Sequence, residues 1–309
     1  MSLRVSYRLV ICLMLLLLPV PSLLAQDHSV PMEIRHNLPF VQVMVNGKGP
    51  FTFGIDTGTG GQALLSPDLI EQLNLTVVGQ AEVGDPSGVN PRKVAVVGID
   101  SLKVAGIEFE DLQAVQFQPS QREGRCDGIL GFVLFRDYLL TLDYPGKKLT
   151  LGSGSLKPDG GNKVIPFTMP NNVPVIELSV GSQTIDAHLD SRGRGLSFPE
   201  TFANGQKFAA APVVIGRGHT VSNDFEIKGA QLAGDVRIGG YTFPQPFVEI
   251  NSVLPVANFG AIPLQHFAVT FDQKDRLRRL ESPEKTIVLP PPPPRPASPS
   301  AVQPPSALH

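Results

Sequence analysis

Asp56 and Asp190 each end an apolar segment and open a loop rich in small or hydroxylated residues. The two loops read Asp56-Thr57-Gly58-Thr59 and Asp190-Ser191-Arg192-Gly193. Backbone N–H groups and a neighbouring hydroxyl can hold a carboxylate in such a loop, although Asp-Thr-Gly is also ordinary turn chemistry. Two carboxylates about 3 Å apart cannot both ionise cheaply, so they share one proton. Such a pair can activate a water, with one carboxylate as the base and the other polarising the bond under attack.

A tandem repeat supplies the two equivalent loops that this chemistry needs. Four segments recur in the same order at a nearly constant offset: residues 37–45 with 172–180, the two aspartate loops, 102–109 with 236–243, and 138–143 with 267–272. One aspartate per unit, each after an apolar strand, favours two units that face each other across a pseudo-twofold axis. The alternative is a chance similarity between two unrelated β-domains.

Composition and periodicity predict an all-β protein. The chain has 309 residues with 30 glycines and 30 prolines, and runs of Val, Ile and Phe lie between turn residues. Residues 41–45 and 175–180 alternate with the period of half-buried strands. Ser66 as a cap and Pro67 in the first turn predict one short helix over residues 66–73. The net charge of −2 argues against a nucleic-acid partner.

The predicted organisation has five parts. Residues 1–25 look like a secretory signal, because a basic start precedes an apolar run that is short for a bilayer span. Two lobes are expected over residues 30–152 and 164–282, with a polar, glycine-rich connector at 153–163. Residues 284–309 are proline-rich and are expected to form a disordered tail, with a ligand for a partner domain as the alternative.

The signal predicts a periplasmic or extracellular protein, and an uncleaved membrane tether is the alternative. Because Cys12 lies in the signal, Cys126 is alone in the mature chain, which excludes an intrachain disulfide. The six histidines show no pair at metal-ligand spacing, so no metal site is expected. The predicted chemistry needs no organic cofactor either.

The sequence resembles the bacterial retropepsin-like and pepsin-like aspartyl proteases, in a single-chain form with two lobes. The resemblance covers roughly residues 30–280, and its lobe-one motifs are Asp56-Thr57-Gly58, Asp127-Gly128-Ile129-Leu130-Gly131 and Thr141-Leu142-Asp143-Tyr144-Pro145. It implies an all-β fold of two β-barrel lobes, an interlobe cleft, and Asp56 and Asp190 as the catalytic pair. It also implies loop support of these carboxylates by Thr57, Gly58, Thr59, Ser191, Arg192 and Gly193.

The second lobe departs from the family pattern. Arg192 stands in place of the triplet glycine, and Arg194 falls where a supporting hydroxyl is expected. The downstream apolar-apolar-glycine motif is read as Ala261-Ile262-Pro263, without its glycine. Two cations near Asp190 are expected to favour its ionised form and to oppose proton sharing.

The resemblance also implies a flap, a hairpin of lobe one that closes over the substrate. Its best position is a turn-rich stretch before the strand at residues 93–97, with the flap candidates Gly84, Asp85, Pro86, Ser87 and Gly88. An exposed loop without this role is the alternative.

The predicted function is hydrolysis of peptide bonds in peptide or protein substrates by a monomeric, exported endopeptidase. One alternative is a pseudoprotease, a catalytically impaired relative that binds peptides. Another is a homodimer that is active through two copies of lobe one. The tandem repeat argues against the homodimer, because an internal partner is already present at a high effective concentration.

Overall fold

The computed structural model describes residues 27–84, 91–119, 126–160, 163–219 and 224–290. Strands dominate these ranges, so the predicted all-β fold class is confirmed. No helix within the described ranges is both long and apolar enough to cross a membrane. The predicted signal, residues 1–25, lies outside them.

The strands of the first half alternate with tight turns and include one helix. They are β1 (His28–Pro31), β2 (Glu33–Arg35), β3 (Leu38–Val45), β4 (Lys48–Asp56), β5 (Ala63–Leu65), β6 (Val77–Val83), β7 (Arg92–Val104), β8 (Ile107–Gln116), β9 (Gly128–Gly131), β10 (Leu139–Asp143) and β11 (Lys148–Gly152). Helix α1 (Pro67–Leu73) begins where predicted, and the Leu69 N–H donates to its cap, Ser66 Oγ, at 3.2 Å. A 3₁₀ turn covers Phe132–Phe135.

The second half repeats this plan. Its strands are β12 (Val164–Pro166), β13 (Val175–Val180), β14 (Gln183–Leu189), β15 (Leu196–Pro199), β16 (Val213–His219), β17 (Asp224–Gln231), β18 (Val236–Ile238), β19 (Tyr241–Phe243), β20 (Phe247–Asn251), β21 (Ala257–Phe259), β22 (Ala268–Asp272) and β23 (Leu277–Glu281). Two short helices, α2 (Glu200–Ala203) and α3 (Ala261–Leu264), and a 3₁₀ turn at Pro170–Asn172 complete it.

Each half forms a large sheet of its own with the same local topology. Strands β2–β9 form an eight-stranded sheet, and strands β13–β21 form a nine-stranded one. In the first, β4 pairs parallel with β9, which pairs antiparallel with β5. In the second, β14 pairs parallel with β21, which pairs antiparallel with β15. Each aspartate therefore lies at the end of a strand in the interior of its sheet, and the strands beside it are equivalent in the two halves.

A third sheet joins the halves, with six strands in the order β1-β11-β10-β22-β23-β12. At its centre β10 and β22 pair antiparallel, so that Leu139 lies opposite Asp272 and Asp143 opposite Ala268. The repeat-equivalent Thr141 and Thr270 face each other, with their hydroxyl oxygens 2.9 Å apart. This register is symmetric about that threonine pair, which places the pseudo-twofold axis there.

The residues that flank the second lobe are more ordered than the sequence suggested. Residues 285–287, assigned to the tail, pair with β19: the Ile287 N–H donates to the Thr242 carbonyl at 2.8 Å. Ile287 is fully buried, because this stretch still carries apolar side chains ahead of the proline run. In the connector, Leu156 is buried and its N–H donates to Asp272 Oδ2 at 2.9 Å. The predicted tail therefore begins later than residue 284.

Arg278 breaks the symmetry of the core. It lies on β23, is 1% exposed, and occupies the position that Leu149 has on β11. Its Nε and Nη1 find no hydrogen-bond partner in the described part of the chain, and burial lowers its pKa to about 10. A buried cation without a counter-charge costs free energy.

Replacing this guanidinium with an apolar side chain of similar length should stabilise the fold. We expect Arg278→Met to raise the free energy of unfolding by about 1 kcal/mol or more, measured by denaturant titration. The matched control is Arg279→Met, which removes a half-exposed partner of Glu281 and should change it by less than about 1 kcal/mol. A lower unfolding free energy for Arg278→Met would mean that the core needs the charge.

Candidate active site

Four hydrogen bonds join the two aspartate loops, and they follow the repeat symmetry. Thr57 Oγ1 donates to the Leu189 carbonyl at 2.5 Å and accepts from the Ser191 N–H at 2.9 Å. Ser191 Oγ donates to the Ile55 carbonyl at 2.7 Å and accepts from the Thr57 N–H at 2.9 Å. Thr57 and Ser191 are both buried. The two loops are therefore held together as one unit, away from water.

Asp56 ends β4, and its carboxylate is held by its own loop. Oδ1 accepts from the Gly58 N–H at 2.8 Å, and Oδ2 accepts from the Thr59 hydroxyl at 2.9 Å. Burial and the nearby Asp190 carboxylate raise the pKa of Asp56 to about 6, although Arg192 and the two hydrogen bonds act to lower it. A carboxyl group that keeps its proton to this pH is what a proton-sharing pair requires.

Gly58 lets the second carboxylate approach the first loop. A β-carbon at Gly58 would lie 2.7 Å from Asp190 Cγ and 2.8 Å from Asp190 Oδ1, which is closer than packing allows. The glycine of the first triplet is therefore required by the opposite lobe. The structure thus brings the predicted pair, Asp56 and Asp190, into one site.

Asp190 is supported by three donors. Oδ1 accepts from the Arg192 N–H at 2.9 Å and from the Gly193 N–H at 2.7 Å. Oδ2 accepts from Asn258 Nδ2 at 3.3 Å. The backbone of Arg192 therefore does for Asp190 what the backbone of Gly58 does for Asp56. Replacement of the triplet glycine leaves this hydrogen bond intact.

The expectation that Arg194 stands at the hydroxyl position is wrong by one residue. The Phe132 N–H donates to the Thr59 carbonyl at 2.9 Å, and the Ala261 N–H donates to the Gly193 carbonyl at 2.6 Å. The equivalent of Thr59 is therefore Gly193, which offers no hydroxyl.

The expectation that lobe two lacks the glycine of its downstream motif is also wrong. Ile55 lies opposite Leu130, and Leu189 lies opposite Phe259, in the same parallel pairing. Gly260 is consequently the equivalent of Gly131. The sequence comparison missed it because the segment from the aspartate to this glycine is shorter in lobe two, from 190 to 260 against 56 to 131.

The two arginines of the second loop point in different directions. The Arg192 guanidinium lies against Gly54, where a β-carbon would collide with it, and its Cζ is 5.4 Å from the Phe40 ring centroid. From there its charge lowers the pKa of Asp56. Arg194 turns to Glu249, with Nε 3.4 Å from Oε1.

Sequence reasoning missed three residues near the pair. Asn258 is polar where lobe one has Ile129, and this contrast in a buried strand was the available signal. Burial lowers the pKa of His188, although the negative charge of Asp190 acts to raise it. The pKa of Tyr144 is raised, mainly by burial and further by the negative charges of Asp190 and Asp56. The buried Tyr144 hydroxyl has no hydrogen-bond partner among the described residues.

The flap candidates fall mostly outside the described residues. Strands β6 and β7 pair antiparallel up to Val83 opposite Arg92, and Gly84 is exposed at the end of β6. Asp85, Pro86, Ser87 and Gly88 lie outside the described ranges. Within those ranges no three His, Cys, Asp or Glu side chains gather as a metal site.

The position of Arg192 predicts how its loss affects Asp56. Because the guanidinium lowers the pKa of Asp56, Arg192→Met should raise that pKa above about 6. The measurement is a pH titration of labelled aspartate carboxyls by NMR. Arg194→Met is the matched control, since Arg194 pairs with Glu249, and it should leave the Asp56 titration in place. Equal shifts in both variants, or none in Arg192→Met, would contradict this account.

Comparison with known protein families matches residues 41–134 to the family described as aspartyl protease. The matched segment contains Asp56, its loop and Gly131, whereas Asp190 lies beyond it. No curated protein matched the chain. The predicted resemblance to the aspartyl proteases is thus confirmed over residues 41–134.

Proposed function

We propose that the protein is an aspartic endopeptidase that hydrolyses peptide bonds with a water activated by Asp56 and Asp190. The observation that carries the proposal is the reciprocal pairing of Thr57 with Ser191, which brings one carboxylate from each lobe into a shared site. The raised pKa of Asp56, with Asp190 among its causes, supports the same proposal.

The hydrogen bonds suggest how the two carboxyl groups divide the work. Asp190 accepts from three donors and Asp56 from two, so the single negative charge is better stabilised on Asp190. Asp190 then takes a proton from the attacking water. Asp56 carries the shared proton and donates a hydrogen bond to the carbonyl oxygen of the scissile peptide. The resulting tetrahedral intermediate collapses when the amine leaves with a proton from the pair.

The substrates are peptides or proteins bound between the lobes, with the antiparallel pair of β6 and β7 belonging to the flap. The signal-like residues 1–25 support export to the periplasm or beyond. A single chain supplies both loops, which supports a monomer.

The second candidate is a pseudoprotease that binds peptides without cleaving them. The observation that favours it is Arg192, which places a cation near Asp56 and favours the charged form of a group that must carry the proton. A homodimer through lobe one is disfavoured, because Ser191 already occupies the place that Thr57 of a second copy would take.

The test of the proposal is hydrolysis of a broad peptide library by the mature chain between pH 3 and 8. Asp56→Asn and Asp190→Asn should each reduce kcat by several orders of magnitude, because residues that act as a unit fail together. The control is Asp143→Asn, which changes a half-buried carboxylate at the end of β10 that accepts from the Gly146 N–H. It should retain wild-type turnover.

Two results would reject this function. If the wild type cleaves no peptide but binds some of them, the pseudoprotease is the correct reading. If Asp190→Asn retains the activity that Asp56→Asn loses, the second lobe takes no part and the shared pair is wrong.

The raised pKa of Asp56 also predicts a pH dependence of stability. The folded state holds the Asp56 proton more tightly than the unfolded state, so this contribution is fully present below pH 3.8 and is lost as the pH rises through about 6. Asp56→Asn removes this titration. The unfolding free energy of Asp56→Asn relative to wild type should therefore increase from pH 4 to pH 7, measured by denaturant titration. A difference that is constant across this range would contradict the raised pKa.

A further inference from the structure

We propose that Asn258 is a positioning residue for Asp190 and does in lobe two what the Thr59 hydroxyl does in lobe one. The proposal builds on the function proposed above. Thr59 Oγ1 donates to Asp56 Oδ2 at 2.9 Å, and Asn258 Nδ2 donates to Asp190 Oδ2 at 3.3 Å. The same oxygen of each carboxylate is held in both lobes, by donors that come from different elements.

Gly193 makes room for this amide. It is the equivalent of Thr59, and a β-carbon at Gly193 would collide with Asn258 Nδ2. Any residue with a side chain at this position would exclude the amide from Asp190. The hydrogen bond from Asn258 therefore depends on the absence of a side chain at Gly193.

The surroundings of Asn258 also indicate that its amide is directed at the carboxylate. Asn258 is 8% exposed, and its Oδ1 has no hydrogen-bond partner within the described ranges. Turning the amide by half a rotation would set Oδ1 against a carboxylate oxygen, so that two acceptors would face each other. The buried, unsatisfied Oδ1 costs free energy, and the hydrogen bond to a charged acceptor offsets that cost.

The strand neighbours of Asn258 show that lobe two is polar where lobe one is apolar. Across the sheet, Asn258 lies opposite His188 on one side and Ser197 on the other, and Ser197 lies opposite Glu249. The equivalent row in lobe one contains Gly54, Ile129, Leu64 and Val115. This polar row therefore lies next to Asp190 and has no counterpart next to Asp56, which is consistent with different roles for the two carboxyl groups.

The kinetic test compares two buried asparagines of the same lobe. Asn258→Leu should lower kcat about tenfold or more with little change in KM, because a donor to the charged base is lost. Asn258→Asp keeps the shape but removes the donor and adds a like charge, so it should lose more. Asn251→Leu is the matched control, since Asn251 Oδ1 accepts from the Val253 and Leu254 N–H groups. It should lower the melting temperature while kcat stays within about twofold.

A second measurement does not depend on peptidase activity. The side-chain amide signals of Asn258 in a ¹⁵N spectrum, assigned by their absence in Asn258→Leu, should shift as the pair titrates with pH. The shift should vanish in Asp190→Asn. These results support the positioning role even if the wild type cleaves nothing, in which case only the proposed function fails.

Three outcomes would overturn the role of Asn258. They are amide signals that do not respond to pH, a response that persists in Asp190→Asn, and an Asn258→Leu variant that keeps kcat within about twofold of wild type.

Discussion

The reciprocal hydrogen bonding of Thr57 and Ser191 is the constraint on which the site depends. Each hydroxyl donates to a carbonyl and accepts an N–H from the opposite loop, so each side chain satisfies two buried backbone groups of its partner. Loss of either hydroxyl would leave an N–H and a C=O buried without partners, which is costly. This explains why a hydroxylated residue follows each aspartate. The pairing of Thr141 with Thr270 in the shared sheet follows the same pseudo-twofold symmetry.

Within this symmetric backbone the side chains beside the two aspartates differ in size and charge. Gly54 in lobe one corresponds to His188 in lobe two, and Gly58 corresponds to Arg192. Lobe one therefore has two glycines beside its aspartate where lobe two has two large nitrogen-bearing side chains. The Arg192 head group lies over the lobe-one glycine, Gly54. Arg192 replaces the expected glycine of the second loop, and the absence of a side chain at Gly54 in the first lobe leaves room for its guanidinium.

Much of the fold was predictable because it depends on local patterns and on the repeat. Alternating strands, the Ser66-capped helix and one aspartate per unit can all be read directly from the sequence. The side-chain donor to Asp190 was not predictable, because it comes from a strand that is distant in sequence. The segments that connect equivalent strands also differ in length between the lobes. The assignment of Arg194 to the hydroxyl position counted one residue too far along the loop, and the shorter segment between Asp190 and Gly260 hid that glycine. The direction of the Arg192 side chain depends on Gly54, which is distant in sequence.

The central claim is that Asp56 and Asp190 form one catalytic pair around one water. The most direct measurement is a high-resolution crystal structure of the mature chain with a pepstatin-type inhibitor, whose central hydroxyl mimics that water. The account predicts that this hydroxyl lies within about 3.2 Å of a carboxylate oxygen of each aspartate, which is hydrogen-bond reach. An inhibitor hydroxyl bound to only one aspartate, or two carboxyl groups too far apart to share it, would contradict the account.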